Sequence, residues 1–371
     1  MIKRISDHAY LRRNRRPLYP KFAKSIRVVD LYSGVGSLSL GVWEACRRKG
    51  IGFESVAAID LDPEAIQVYH ANFPNSATIA GDVWGFVDGE LGSKPTVTEK
   101  RLIRHLNRVD VLLAGSPCQG FSPLNNHTRG KDRRNSLYLR ATRLLELIQP
   151  RNSILENVPN VVNSKRDVVG LSKSRMEDLG YKIDDGVIDL SVVGVPQTRK
   201  RHVLVASKSR KISVKETVDK FRVPRIRSVK WAIGDLEGKG SDEHFFDTAS
   251  RQTCANSKRI DYLYSTRSYD LPNSKRPKCQ RKSHSYKSMY SRLRYDNPAQ
   301  TITSGFGSPG QGRFVHPTQR RTLTPHEAAR LQFFPDFFDF SKASKRTSLA
   351  TMIGNAATMK LSYIFASGFL S

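Results

Sequence analysis

The chain has 371 residues, 38% of them hydrophobic and 26% charged, and a formal net charge of +28. That composition suits a folded protein with a sizeable core, long enough for more than one domain, and argues against disorder. A surface this basic selects for polyanions, nucleic acid first and a membrane surface second, since no long basic amphipathic helix stands out. Cys46, Cys118, Cys254 and Cys279 are few and far apart with no CxxC pair, which excludes a disulfide frame or a structural zinc site and fits a reducing compartment. No apolar run approaches the ~18 residues a spanning helix needs.

In chain order, residues 1–26 form a basic arm carrying Lys3, Arg4, Arg12, Arg13, Arg15 and Arg16. With no apolar stretch behind these charges the arm is not a secretory signal; it is either phosphate-binding or merely solvated. Arg27 to Tyr32 reads as a strand. It runs into Ser33-Gly-Val-Gly-Ser37 and a helix to about Lys49, the opening of a nucleotide-type βαβ unit, although Gly34 and Gly36 alone would fit any tight βα turn. A second strand, Ser55 to Ile59, ends at Asp60, where an acidic group can accept from a ribose diol, and Pro63 opens a helix. A third strand ends near Asp82. A polar helix from about Thr96 to Asn107 precedes the apolar strand 109–113.

That strand delivers Ala114-Gly-Ser-Pro-Cys-Gln-Gly-Phe-Ser122. A cysteine in this setting, between Pro117 and Gly120 at a strand end, is where open α/β sheets place ligand-contacting groups; a lone cysteine is otherwise a small buried hydrophobe. The basic loop Gly120–Arg134 is long for a βα connection, as functional lids are. A helix spans Ser136 to Gln149, and a strand from Asn152 ends at Glu156-Asn157-Val158. A helix near Lys173–Leu179, a strand near 181–190, the turn Pro196-Gln-Thr-Arg-Lys-Arg201 and a strand over 202–207 follow. Strands and helices alternating at this spacing predict a parallel-rich α/β sheet. From Lys208 to about Arg294 the rhythm stops, and Tyr262, Tyr264, Tyr269, Tyr286 and Tyr290 lie among Arg and Lys, a mixture suited to phosphate backbones and unstacked bases or to an ordinary solvated face. Gly305–Gly312 reads as a hinge, Thr324-Pro-His-Glu327 as a helix start, and a final helix runs from about Ser348.

A thiol, a carboxyl, an Arg pair and a glycine turn with an acidic partner suit one chemistry. Carbon 5 of cytosine becomes nucleophilic when a thiolate adds to carbon 6 and N3 takes a proton from a nearby acid. The sequence resembles the DNA (cytosine-5) methyltransferase family. The resemblance rests on Asp30-Leu-Tyr-Ser-Gly-Val-Gly36, Pro117-Cys-Gln-Gly-Phe-Ser122, Glu156-Asn-Val158 and Gln197-Thr-Arg-Lys-Arg201, with Arg321-Thr-Leu-Thr-Pro-His-Glu-Ala-Ala-Arg-Leu-Gln332 and Gly354-Asn-Ala356. Six motifs in the family's order are a specific signal. The family often has Gly where Ser37 stands, Glu more often than Asp at position 60, and in some members Ser at 356.

The resemblance implies a Rossmann-like class I S-adenosylmethionine-dependent α/β sheet with a smaller, irregular target recognition domain. The domains would be arm 1–26, catalytic and cofactor-binding 27–208, recognition and hinge 209–315, and C-terminal helices 316–371, the last returning to the catalytic domain. It implies that Cys118 attacks carbon 6, Glu156 protonates N3, Asn157 holds the turn, and Arg199 and Arg201 contact the flipped cytosine and its phosphate. Tyr32, Gly34, Gly36, Asp60, Leu61, Asp82, Pro117, Leu137 and Asn355 would line the S-adenosylmethionine site, with no metal. The implied partners are double-stranded DNA and a cognate restriction endonuclease or defence system, with no membrane, and a cytoplasmic monomer suffices. A tRNA-directed branch and a catalytically silent DNA-binding regulator are the alternatives; the long basic insertion favours duplex DNA over the first, and the presence of both Cys118 and Glu156 speaks against the second.

Overall fold

A computed structural model describes residues 5–19, 24–117, 136–238, 245–281 and 288–370. Seven strands form one sheet in the order β3-β2-β1-β4-β5-β8-β6. They are β1 (Ser25–Leu31), β2 (Gly52–Asp60), β3 (Ala77–Ala80), β4 (Val111–Gly115), β5 (Asn152–Asn157), β6 (Lys182–Asp189) and β8 (Lys200–Ser207). The first five are mutually parallel, and β8 runs antiparallel to both β5 and β6. β7 (Gln197–Thr198) and β9 (Ala299–Gln300) make a separate two-stranded ladder.

The central strands are apolar on both faces because helices cover both. Successive residues of β1 alternate: Val28 packs on one side, Val29 and Leu31 on the other, as the two-residue period of a strand requires. One side holds α2 (Ser37–Lys49), α3 (Pro63–Asn72) and α12 (Met359–Phe369); the other holds α4 (Val97–His105), α5 (Leu137–Ile148) and α6 (Val168–Asp178). Local chemistry sets the helix ends. Asp62 caps α3 with Pro63 in its first turn, Thr96 and Glu99 form a capping box on α4, and Gly50 closes α2 in the left-handed region.

Several expectations need correction. α6 begins at Val168, earlier than Lys173. The last helix is two: α11 (Arg346–Asn355) stops, and α12 starts at Met359. α12 then lies across α2, and the approach is close enough that a Cβ on Gly41 would sit 2.1 Å from Met359 O. Ser362 Oγ donates to Leu38 O at 2.6 Å across the same contact. The large core also does not end at Lys208. α7 (Val214–Phe221) and α8 (Val229–Ile233) contribute Val214, Val229, Ala232 and Ile233 to it, alongside α10 (Pro325–Leu331). A separate small core begins only at α9 (Cys254–Ser265), with Ile260, Leu263, Leu271, Tyr290 and Val315. The stretch read as a glycine-rich hinge carries a buried Phe306 and a short helical turn at Pro309–Gln311.

Along the part described, the arm docks on the body at several points, although Arg15 and Leu18 stay exposed. It forms α1 (Asp7–Leu11), with Tyr10 and Leu11 buried. Arg12 pairs with Asp235 at 2.7 Å, and Asp7 accepts from Lys360 at 2.6 Å and pairs with Arg227 at 3.0 Å. Asp7 therefore ties α1 to α12 and to the chain before α8. Burial alone would raise its carboxyl, but the charges of Lys360 and Arg227 outweigh that and hold it below the ordinary range. A depressed carboxyl stabilises the fold at neutral pH and loses that contribution as pH falls through its folded value. Asp7→Ala leaves Lys360, 7% exposed at the side chain, without its partner, and is expected to cost about 3–5 kcal/mol. Urea denaturation at pH 7 measures this; a loss near zero would show the pair to be solvated.

Candidate active site

The parallel strands β1, β2, β3, β4 and β5 end at one edge of the sheet, and chain order reverses between β1 and β4, where open α/β folds bind ligands. After β1 the chain turns through Tyr32 (φ 56°), Gly34 (φ 51°) and Gly36 (φ 92°) into α2. Gly36 has no alternative: a Cβ there would meet Tyr69 at 2.8 Å and Phe73 at 2.9 Å, whereas Gly34 faces nothing within 4 Å. Asp60, at the end of β2, fastens this turn. Its Oδ2 accepts the Gly34 N–H at 2.8 Å and its Oδ1 the Asp62 N–H at 2.9 Å. Burial raises the Asp60 carboxyl, and the amides oppose that in part. Each oxygen keeps a further lone pair for a hydroxyl donor. Beside it Leu61 is 70% exposed, an apolar surface next to the turn. Asp82 follows β3 and caps the next turn through Trp84 N at 3.1 Å. Tyr32 Oη donates to Leu137 O at 2.9 Å, which ties the start of α5 to the glycine turn.

β4 and β5 pair in register with Gly115 opposite Glu156. A Cβ on Gly115 would come within 3.6 Å of Glu156 Oε2. Glu156 is 6% exposed and its Oε1 lies 2.7 Å from Arg201 Nε. Arg201 belongs to the start of β8, one residue before His202, which pairs with Asn157. The antiparallel course of β8 thus returns Arg201 to the edge where β5 ends. Asn157 holds both strands' exits: Nδ2 donates to Ser116 O at 3.2 Å and Oγ at 2.8 Å, and Oδ1 accepts from Val158 N at 2.7 Å. Its anchor, Ser116, was not singled out in the sequence; the adjacent Pro117 was, and is half-buried. Cys118 and the loop through Arg134 lie outside the described residues.

The two arginines of the turn part company. Arg201 faces Glu156, while Arg199 is buried and donates from Nη1 to Ile302 O at 3.2 Å and from Nη2 to Ala356 O at 2.9 Å. Asn355, exposed, is the last residue of α11, adjacent to that second carbonyl.

Beneath the glycine turn is a buried Asp30. Its Oδ2 accepts from Ser39 Oγ at 2.7 Å, and Ser39 continues through Tyr69 Oη to Ser55 and Ser76. Burial pushes this carboxyl up to about 8, against the Ser39 hydrogen bond. In α9 and the chain after it the tyrosines are platforms for arginines. Arg292 lies 4.7 Å from the Tyr264 ring and 4.6 Å from Tyr269, and Arg294 lies 4.5 Å from Tyr269. Tyr286 is outside the described residues.

The C-5 cytosine-specific DNA methylase family model matches residues 26–368. The chain belongs to that family. Among its relatives, the type II methyltransferase M1.BsuMI of Bacillus subtilis is 45% identical over 367 residues, spanning 98% of this chain and 85% of the relative. The type II methylase M.HgiDII of Herpetosiphon aurantiacus is 31% identical, over 91% and 93%. Among solved structures, a DNA modification methyltransferase encoded within an E. coli prophage aligns with a TM-score of 0.60 at 24% identity, covering 93% of this chain and 98% of that one. The S. pombe Dnmt2 methyltransferase aligns with a TM-score of 0.62 at 19% identity, covering 92% and 98%. The methylase is therefore a DNA (cytosine-5-)-methyltransferase with the α/β methyltransferase fold, and no helix of its described residues is long and apolar enough to cross a membrane.

Two predictions follow from the glycine turn. Gly36→Ala combines a left-handed φ with a clash on two buried rings and is expected to destabilise by about 2–3 kcal/mol. Gly34→Ala is expected to cost about 1–2 kcal/mol, the backbone penalty alone. Denaturant melts of both variants check the order; equal losses would contradict the packing. Asp30, protonated in the fold and ionised when unfolded between about pH 4 and 8, makes stability fall as pH rises through that window. Asp30→Asn should flatten the decline, read from urea midpoints between pH 5 and 8.5.

Proposed function

We propose that the methylase modifies carbon 5 of one cytosine in a specific duplex DNA sequence through a covalent bond from Cys118 to carbon 6. The observation that carries the reading is the anchored exit of β4 and β5: Glu156 lies against Gly115 and Arg201, and Asn157 grips Ser116, two residues before Cys118. A thiol and a carboxyl on adjacent parallel strand ends can address one pyrimidine ring. Cytosine in a stacked duplex exposes neither carbon 6 nor N3 to two such groups at once, so the target base must be flipped out, at a cost of about a few kcal/mol that phosphate contacts offset.

The thiolate of Cys118 adds to carbon 6, forming the C–S bond, and the ring electrons move toward N3. Glu156, oriented by Arg201, passes a proton to N3 as that charge develops. S-adenosylmethionine, when bound, supplies the electrophilic methyl carbon for carbon 5. Loss of the carbon 5 proton to a base, expulsion of the Cys118 thiolate and return of the N3 proton to Glu156 then restore the aromatic ring and both side chains. The residues present fit the donor. Asp60 has acceptor capacity for ribose hydroxyls, Leu61 offers an apolar face, the Tyr32–Gly36 turn allows close backbone approach, and Asp82, Pro117, Leu137 and Asn355 complete the rim. Arg199 contributes by fixing the main chain around Arg201. Its expected contact with the base is replaced in this reading by its bonds to Ile302 and Ala356.

The type II names of its relatives support a place in a restriction–modification system, with a cognate endonuclease as partner. The basic surface suits a polyanion, and the family match with the type II relatives favours duplex DNA over tRNA as substrate. Transfer of labelled methyl groups to plasmid DNA and to tRNA, assayed side by side, tests the substrate; activity on tRNA alone would reject it. Cys118→Ser is expected to abolish turnover while DNA binding persists, and Glu156→Gln to lower kcat by about 10²–10⁴-fold. Full activity in either variant would remove that residue from the reaction.

A further inference from the structure

Among the described residues two glutamines, Gln197 and Gln332, are wholly buried, each with 0% exposure, and neither belongs to the chemistry above. Gln197 lies on β7 and Gln332 just beyond α10. They form a directional relay. Ile302 N donates to Gln197 Oε1 at 3.0 Å, Gln197 Nε2 donates to Gln332 Oε1 at 2.7 Å and to Leu331 O at 2.8 Å, and Gln332 Nε2 donates to Ile353 O at 2.7 Å. Thr358 Oγ1 donates to the Gln332 carbonyl at 3.0 Å. Every polar atom of both side chains has a partner, so neither amide can flip without setting donor against donor and acceptor against acceptor.

The relay joins three pieces. Ile302 is on the chain returning from the recognition region, directly after β9, which pairs with β7. Gln197 stands four residues before Arg201. Ile353 is in α11, two residues before Asn355. Arg199 doubles the clamp, since it bonds Ile302 O while Gln197 bonds Ile302 N. The pieces are also in backbone contact: a Cβ on Gly354 would lie 2.1 Å from Ser304 N. An arrangement this dense transmits position and has little room to deform.

We propose that Gln197 and Gln332 are positioning residues for methyl transfer: the amide pair sets Arg201, at the base end of the crevice, relative to Asn355, at the donor end, and keys both to the chain entering from the recognition region. The inference rests on the catalytic reading above. It requires that the pair act on the joint alignment of base and donor and leave the binding of each alone nearly intact. Misplacement of reacting groups by about 1 Å costs roughly 10²-fold in rate.

The test uses the full chain with Gln197→Met, Gln332→Met and the double substitution, which keep volume and remove the amides. Three readouts apply to the folded protein, verified by its melting transition: kcat and KM for plasmid DNA, the dissociation constant of S-adenosylhomocysteine, and that of unmethylated plasmid DNA. The expected result is a fall in kcat of about 10–100-fold in each single variant, both dissociation constants within threefold of wild type, and a double variant no worse than the single ones, because one broken relay cannot be broken twice. A kcat within twofold of wild type would overturn the proposal. So would a loss matched by weaker S-adenosylhomocysteine binding, or additive losses in the double variant. Should the methionine variants not fold, Gln197→Asn keeps a neutral amide, draws it one methylene back from Gln332, and carries the same measurements. Absence of methyl transfer by the wild-type chain would defeat the catalytic reading itself; an active wild type with unaffected variants defeats this proposal alone.

Discussion

The parallel pairing of β4 with β5 is the constraint on which the rest depends. Its register puts Gly115 beside Glu156, whose carboxyl lies at ordinary contact distance from where a Cβ on residue 115 would stand. A one-residue slip would turn Glu156 to the opposite face of the sheet and bring Leu155 to this position. The antiparallel β8 completes the setting by returning Arg201 to the same edge. A strand parallel to β5 would have delivered that arginine to the far end. The reversal of β8 is therefore what lets the acid and its cation meet.

Much of this was legible in the chain. The glycine turn, the acid at 60, the βα alternation and the motif order announce the sheet and the crevice, because they are local signals with a period or a spacing. What stayed hidden was nonlocal. Asp7 and Lys360 are ends of the sequence that look like solvated charges until α1 docks on α12. Val214 and Val229 lie in a basic stretch with no rhythm, yet belong to the main core. The interruption between α11 and α12 has neither proline nor glycine after Asn355 to mark it. Gln197 and Gln332 stand in quoted motifs, yet nothing in the sequence says that 134 residues of chain bring Gln197 to the carbonyl of Leu331.

The sequence named candidate residues for the site and said less about how the fold holds them. Sequence placed Arg199 and Arg201 together as one pair facing the base. The fold separates them: one guanidinium meets a carboxylate, the other donates to main-chain carbonyls. Alternation of residues cannot reveal this where the chain crosses between the short β7 and the long β8. The C-terminal motif likewise turns out to be a brace. Glu327 is held down to about 2, the pull of Arg321 and His316 outweighing its burial, and Arg330 joins Asp336 to Asp235. Ion pairs of this kind already cancel within the net charge of +28, so the excess positive charge lies on other side chains.

The central claim is that the sulfur of Cys118 and the carboxyl of Glu156 act on one flipped cytosine. Duplex DNA carrying 5-fluorocytosine at the methylated position tests it most directly, because fluorine at carbon 5 cannot leave as a proton and the enzyme stays attached. With S-adenosylmethionine present, the account predicts a denaturation-resistant protein–DNA adduct whose modified peptide contains Cys118, and none from Cys118→Ser. An active enzyme that releases the fluorinated duplex unattached, or an adduct at another residue, would contradict it.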